Sequence, residues 1–88
     1  MRLGVYGMPV DSEGLDYVVE AERLGVDSVW VPEFWGYDAL TGLGAIAALT
    51  DTIKLGTAIV QLDTRTPAML AMSAMSLQQL SGGRFLLG

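Results

Sequence analysis

Strand-like and helix-like segments alternate along this chain at a nearly constant interval, and this interval limits the fold more than any other feature. The predicted strands begin at Arg2, Ser28, Ile53 and Arg84. A strand plus a helix therefore recurs every 25 to 31 residues, a spacing that is typical of βα units in a parallel sheet. Eight such units, about 250 residues, close a barrel, whereas five or six form an open doubly wound sheet. The spacing leaves both of these α/β folds open.

Helices are predicted at residues 13–24, 41–50 and 67–80. In the first, apolar residues recur at steps of three and four, and Gly25 follows where a left-handed residue ends a helix. The third begins with Thr66 as its N-cap and Pro67 as the favoured first helical residue. This third helix also carries Met69, Met72 and Met75. We predict that these three methionines pack in the core rather than line a cofactor site.

The composition indicates that the apolar strands need cover from elsewhere. Of the 88 residues, 51% are hydrophobic and only 17% are charged, whereas soluble domains carry roughly 25% charged residues. Residues 29–31 and 85–87 are apolar throughout, so we expect cover on both faces of these strands. Because no helix follows the fourth strand, we expect residues 1–88 to be one N-terminal fragment of a larger domain, inactive and poorly soluble by itself.

Charge and residue types exclude several functions. Five basic residues against ten acidic ones give a net charge of −5, and the basic residues are scattered, so we expect no nucleic-acid partner. No stretch reaches the roughly 18 to 20 apolar residues that cross a bilayer, and no signal-type cleavage site follows the first residues. We therefore expect a cytoplasmic protein with no membrane partner. Without cysteine or histidine, we also expect no metal site.

One motif is compatible with a dinucleotide-binding site. Gly42, Gly44 and Ala47 match the pattern G-x-G-x-x-A, and Asp63 lies where an acid could bind the ribose. In such a site the first glycine directly follows a strand, yet Gly42 comes ten positions after Pro32 here. A nicotinamide-dependent enzyme on an open α/β sheet is therefore kept only as an alternative interpretation. The alternative outside catalysis is a small βα oligomerisation module.

Two loops carry the candidate polar side chains, because βα folds place their chemistry at the carboxyl ends of parallel strands. After the second strand, Glu33 lies nearest the strand end and is the predicted catalytic residue, while Asp38 is interpreted as a helix cap. After the third strand, Arg65 either binds an anionic group at the start of the third helix or forms a weak surface pair with Asp63.

Three segments resemble the N-terminal third of the bacterial luciferase-like monooxygenases. They are residues 22–31, residues 53–59 and the sequence Leu-Ser-Gly-Gly-Arg-Phe at residues 80–85. The third is the strongest of them, and the order and spacing of all three are together specific. Within this superfamily the chain looks most like the deazaflavin-dependent branch, which includes the methylenetetrahydromethanopterin reductases. The resemblance covers nearly all 88 residues.

This resemblance implies a (β/α)8 TIM barrel, of which the chain would supply three βα units and the fourth strand. It implies an oxidoreductase or monooxygenase that acts on a small-molecule substrate with the deazaflavin coenzyme F-420 or FMN. We expect the full-length protein to be a homo-oligomer. A flavin or deazaflavin carries the hydride chemistry itself, so a site without histidine is compatible with redox catalysis.

The resemblance also implies which residues face the cofactor. A bulge in the third strand would support the cofactor ring. It maps to Thr57, Ala58, Ile59 and Val60. Family members often have a non-prolyl cis peptide there, which would be the bond between Ala58 and Ile59. Members of the deazaflavin branch carry an acid after the second strand, where Glu33 stands, and Phe34 occupies the place of a frequent histidine.

Overall fold

A computed structural model describes residues 2–33, 36–61 and 65–88. Strands and helices alternate along them: β1 (Gly4–Tyr6), α1 (Ser12–Arg23), β2 (Ser28–Val31), α2 (Ala39–Leu49), β3 (Lys54–Thr57), α3 (Pro67–Leu80) and β4 (Phe85–Leu86). All neighbouring strands pair in parallel, in the order β1-β2-β3-β4. The predicted alternation is therefore confirmed. The predictions for Phe34 and Asp63 concern positions outside the described ranges.

Polar residues and glycine set the helix ends as predicted. The Thr66 hydroxyl accepts a hydrogen bond from the amide of Met69 at 3.1 Å and caps α3, which begins at Pro67. Asp38 is the N-cap of α2, so its interpretation as a cap is confirmed and α2 begins at Ala39 rather than at residue 41. Gly25 follows α1 with a φ of 88°, the left-handed conformation that glycine adopts without a steric cost.

The core lies between the sheet and the helices. Val29 and Val31 of β2 and Leu55 of β3 point toward it and are at most 3% exposed. The largest helical contribution comes from α2, whose buried residues are Ala39, Leu40, Gly42, Leu43, Ile46 and Ala47. Full burial of one large aliphatic side chain stabilises a fold by about 1.5 to 3 kcal/mol. Gly42 and Gly44 of the G-x-G-x-x-A pattern thus belong to helix α2, not to a tight turn after a strand.

The opposite face of the sheet is open. Its residues alternate with those of the core, and strand register aligns Tyr6, Trp30, Gly56 and Leu86 in one row. The Trp30 indole lies over Gly56, where a Cβ atom would come within 2.6 Å of the ring. Its Nε1 donates to Ser28 Oγ at 2.9 Å. Since Tyr6 is 70% exposed, the described residues cover the sheet on the helix side alone.

The methionines of α3 do not pack in the core, so that prediction is wrong. Their exposed fractions lie between 52% and 72%. A step of three residues turns an α-helix by about 300°, so the three methionines lie within about 120° of one another, and this arc of α3 faces outward. The face of α3 that packs inward carries Leu70, Ala74 and Leu77.

Arg84 ties the end of α2 to the neighbouring loops. Its Nε donates to Ser81 O at 2.6 Å. Its Nη1 donates to Thr50 Oγ1 and to Ile53 O, both at 2.9 Å. Its Nη2 donates to Ala47 O at 3.2 Å and to Thr50 O at 3.0 Å. All five N–H groups of the guanidinium are therefore used within the fold.

Glu22 of α1 closes the loop between α2 and β3. One of its carboxylate oxygens accepts the backbone N–H groups of Asp51, Thr52 and Ile53 at 2.7 to 3.0 Å. Desolvation raises the pKa of Glu22, but these hydrogen bonds outweigh it and the pKa is lowered. None of the helices in the described part of the chain is long and apolar enough to cross a membrane.

Candidate functional site

The carboxyl ends of β2, β3 and β4 meet at one edge of the sheet. Backbone hydrogen bonds join the residues that leave these strands. The Ala58 amide donates to Val31 O at 3.0 Å, and the Val60 amide donates to Gly88 O at 3.3 Å. This is the edge at which parallel βα folds place their functional groups. The predicted site residues therefore share one location.

The segment after β3 has the geometry that the resemblance implies. The peptide bond between Ala58 and Ile59 is cis, as predicted. Thr57 is fully buried, and its Oγ1 accepts the amide of Gly88 at 2.9 Å. Val60 is 5% exposed, whereas the Ile59 side chain is 70% exposed. The segment is thus anchored at both ends and presents an apolar side chain between them.

Glu33 follows β2 and is buried, with 7% of the residue exposed. Its Oε1 accepts the Gln61 amide and Arg65 Nη1, both at 2.8 Å. Its Oε2 accepts the Ala39 amide at 2.9 Å and Arg65 Nη2 at 2.7 Å. The carboxylate therefore joins the start of α2 to the segment after β3.

Arg65 bridges two carboxylates. Besides its two-pronged pair with Glu33, its Nη2 donates to Asp38 Oδ1 at 2.7 Å. The side chains of Arg65 and Glu33 are 12% and 3% exposed, whereas that of Asp38 is 46% exposed. Neither alternative named Glu33 and Asp38 as partners of Arg65. The alternative of a pair with Asp63 concerns a position outside the described residues.

The protonation state of Glu33 follows from these contacts. The hydrogen bonds from Arg65 lower the pKa of Glu33, desolvation raises it, and the amides of Ala39 and Gln61 lower it further, to about 2. Conversely, the hydrogen bond with Glu33 raises the pKa of Arg65. Glu33 is therefore a carboxylate at neutral pH. It accepts hydrogen bonds there and has no proton to donate.

A groove of about 690 Å³ runs from this cluster along the helix layer. Its walls are α2 and α3, and its residues include Thr41, Gly44, Met69, Met72 and Ser76. It lies on the side of the sheet that faces away from Tyr6 and Trp30. Residues 2–33, 36–61 and 65–88 contain no group of three histidine, cysteine, aspartate or glutamate residues that could hold a metal ion.

Sequence reasoning found Glu33 and Arg65 but missed that they form a pair. The two residues are 32 positions apart, and no periodicity connects two loops at such a distance. The only available signal was topological. Loops that follow adjacent parallel strands leave the same edge of the sheet, so opposite charges on them are expected to meet. The sequence did not indicate a contact between Gln61 and Glu33, because the Gln61 backbone amide makes it.

Comparison with known proteins identifies the family. The family model described as "Luciferase-like monooxygenase" matches residues 4–88. The chain belongs to this family. A Mycobacterium tuberculosis protein named as a coenzyme F420-dependent oxidoreductase is 41% identical over 88 residues, which are 100% of this chain and 25% of that protein. The 5,10-methylenetetrahydromethanopterin reductase of Methanolobus tindarius is 36% identical over 91 residues, covering 100% of this chain and 28% of the relative.

Solved structures of luciferase-like proteins agree with this fold. The F420-dependent tetrahydromethanopterin reductase of Methanopyrus kandleri matches 99% of this chain and 26% of its own, with a TM-score of 0.83 and 28% identity. The oxygenating constituent of 3,6-diketocamphane monooxygenase from Pseudomonas putida, solved with FMN, matches 100% and 29%, with a TM-score of 0.87 and 27% identity. The luciferase-like chain has three βα units and the fourth strand of a TIM barrel. It spans about a quarter of the length of the curated relatives it matches.

Proposed function

We propose that this protein, at its natural length, is a cytoplasmic luciferase-like oxidoreductase or monooxygenase that uses coenzyme F420 or FMN on a small-molecule substrate. Residues 1–88 would form one part of its barrel. The observation that carries this proposal is the segment after β3, in which buried Thr57 and Val60 hold the two ends and the exposed Ile59 side chain stands between them at the carboxyl edge. The two cofactors follow from the relatives, one named for F420 and one solved with FMN.

The residues at this edge fit a planar, largely apolar ring. Ile59 offers exposed apolar surface, and the small side chain of Ala58 leaves room for close approach. Thr57 and Val60 are buried and hold the ends of the segment. When bound, the cofactor supplies the hydride chemistry, and the protein supplies shape, orientation and charge. We therefore propose that residues 57–60 support the ring.

A catalytic part for Glu33 remains a prediction, and the geometry limits what that part can be. A carboxyl group with a pKa of about 2 is ionised at neutral pH, so Glu33 is unsuited to act as a general acid there. Its oxygens already accept four hydrogen bonds. We propose that Glu33 acts as a fixed negative charge that orients the loops around the cofactor.

The proposed cofactor site predicts a large effect of a bulky residue at Ala58. The protein at its natural length should bind F420 or FMN in a fluorescence titration. Ala58→Phe should weaken this binding at least about tenfold, because overpacking a well-packed contact costs about 1 to 3 kcal/mol. Val19→Phe, at a 39% exposed residue of α1, should leave the affinity within about twofold. Equal affinities for the two variants would contradict the assignment of residues 57–60, and binding of neither cofactor by the unchanged protein would contradict the proposed function.

We also propose that the protein forms a homo-oligomer through the outer face of α2 and α3. Neither helix carries a charged residue, so the same face of two copies could meet without like-charge repulsion. The exposed methionines of α3 and Leu80, which is 67% exposed, supply apolar surface. Methionine adapts to irregular contacts and is common at binding surfaces, and large exposed apolar patches mark interaction sites.

A charge on this face should therefore separate the subunits. We expect Met72→Lys to shift the protein from oligomer to monomer in sedimentation velocity experiments, because burying an unpaired ammonium group in an interface is unfavourable. Val19→Lys is the matched control, since Val19 is a 39% exposed apolar residue on α1, and it should leave the oligomer intact. An unchanged protein that sediments as a monomer at all concentrations would contradict this proposal.

A further inference from the structure

The backbone of Gln61 is held on both sides by one ion pair. Its amide donates to Glu33 Oε1 at 2.8 Å, and its carbonyl oxygen accepts Arg65 Nη1 at 3.2 Å. Gln61 directly follows Val60, the last residue of the segment proposed to support the cofactor ring. The other end of that segment is anchored by the sheet, through the hydrogen bond from Ala58 N to Val31 O. The ion pair therefore anchors the far end, next to the hydrogen bond from Val60 N to Gly88 O.

The same guanidinium connects three parts of the chain. Through Glu33 it is joined to the residues that leave β2, and through Asp38 it is joined to the first turn of α2. Arg65 itself comes immediately before Thr66, the N-cap of α3. A shift of Arg65 would thus change the position of Gln61 and the approach of two helices together.

We propose that Arg65 is a positioning residue of the cofactor site, which sets the position of residues 58–61 by clamping Glu33 and the Gln61 carbonyl at once. This inference rests on the proposed function, because the segment matters only if it supports a ring. It also gives Glu33 a defined part. The carboxylate fixes the Gln61 amide, and Arg65 fixes the carboxylate.

We expect that a lysine at this position cannot position residues 58–61 as Arg65 does. The guanidinium contacts both oxygens of Glu33 through Nη1 and Nη2, and it also contacts Asp38 and Gln61 O. An ammonium group is a point charge without this planar fork, so it preserves the charge but not the geometry. Arg65→Lys therefore separates the electrostatic contribution of the residue from its positioning contribution.

The test uses the protein at its natural length, with F420 and FMN as probes. The variants are Arg65→Met, Arg65→Lys and the double variant Glu33→Gln with Arg65→Met. The control is Asp38→Asn, which loses the exposed ion pair, keeps the pair between Arg65 and Glu33, and leaves a residue that still caps a helix. The measurements are cofactor affinity, the absorption spectrum of the bound cofactor, the midpoint of thermal unfolding and amide exchange of Val60 and Gln61 without cofactor.

We expect Arg65→Met and Arg65→Lys to weaken cofactor binding at least tenfold and to shift the bound spectrum toward that of the free cofactor. Amide exchange at Val60 and Gln61 should become at least tenfold faster, whereas Asp38→Asn should stay within about threefold of the unchanged protein. The double variant removes the buried unpaired carboxylate that Arg65→Met leaves behind. It should recover thermal stability while its cofactor affinity remains low.

Two results would overturn the inference while leaving the proposed function intact. One is an Arg65→Met variant with unchanged affinity, spectrum and exchange. The other is a double variant that recovers cofactor affinity together with its thermal stability, because the loss in the single variant would then reflect folding alone. Failure of the unchanged protein to bind F420 or FMN would instead overturn the proposed function and this inference with it, and that result requires no variant.

Discussion

Replacing Arg84 by methionine should lower the free energy of unfolding by about 3 kcal/mol or more, among the largest effects expected of a single substitution in this chain. The guanidinium donates to oxygens of Ser81, Thr50, Ile53 and Ala47 at distances between 2.6 and 3.2 Å. Hydrogen bonds from a charged donor contribute about 1.5 to 3 kcal/mol each, and their sum is not additive. Methionine preserves most of the aliphatic stem and removes every donor.

The matched control for this prediction is Arg23→Met. Arg23 also pairs with a side chain, Glu20, but both are on the surface of α1, 68% and 53% exposed. Such pairs contribute little because water and salt screen them. Chemical unfolding of the two variants at the natural length of the protein should therefore show a large loss for Arg84→Met and almost none for Arg23→Met. Similar losses would show that the contacts of Arg84 do not hold α2 to the loops around it.

The sequence located the turn that contains Arg84 but did not reveal its partners. Ser81, Gly82 and Gly83 end α3 as their residue types predict, with Gly82 and Gly83 at positive φ. Apart from Ser81 O, the oxygens that Arg84 contacts belong to residues 31 to 37 positions earlier in the chain. Most of them are backbone carbonyls, which every residue has, so no residue type marks them as partners. The position of a turn depends on nearby residues, whereas the hydrogen bonds of Arg84 form only once the helices are packed.

The strands and helices were more predictable than the faces they present. The alternation of β1 to β4 with the helices was predicted from the cap and turn residues at the ends of these elements, and it is confirmed. For α3, the spacing of the methionines was mistaken for a buried stripe, although Leu70, Ala74 and Leu77 are the inward residues. Because α3 carries no charged residue, its sequence marks the exposed side only weakly. The orientation of α3 is set by contact with α2 and the sheet, which the sequence of α3 does not contain.

The cis bond illustrates the opposite case. No local property of Ala58 and Ile59 favours it, because neither residue is proline. It was predicted through resemblance alone, and the structure confirms it. The resemblance likewise implied an acid after the second strand, where Glu33 contacts the Gln61 amide. It did not establish that Arg65 holds this carboxylate ionised, since that depends on the relative position of two loops.

Glu33→Gln should remove a contribution to stability that depends on pH, and its direction follows from the lowered pKa. Glu33 has a pKa of about 2 in the folded protein against 4.5 for the free side chain. The unfolded chain therefore takes up a proton before the folded one, so the contribution is fully present above pH 4.5 and is lost as the pH falls toward 2. One pKa unit corresponds to 1.36 kcal/mol, which gives roughly 3 kcal/mol for this difference.

The measurement is the free energy of unfolding of the unchanged protein and of Glu33→Gln, at intervals between pH 6.5 and pH 2.5. The difference in free energy of unfolding between the two proteins, called the gap below, should be largest near neutral pH. It should shrink by most of the roughly 3 kcal/mol as the pH falls. Glu13→Gln makes the same chemical change at an exposed residue in the first turn of α1, and its gap should change far less. Arg65 provides the largest lowering of the Glu33 pKa, so in an Arg65→Met background the gap should begin to shrink at a higher pH. A gap for Glu33→Gln that stays constant across this range would show that Arg65 does not hold Glu33 ionised in the folded protein.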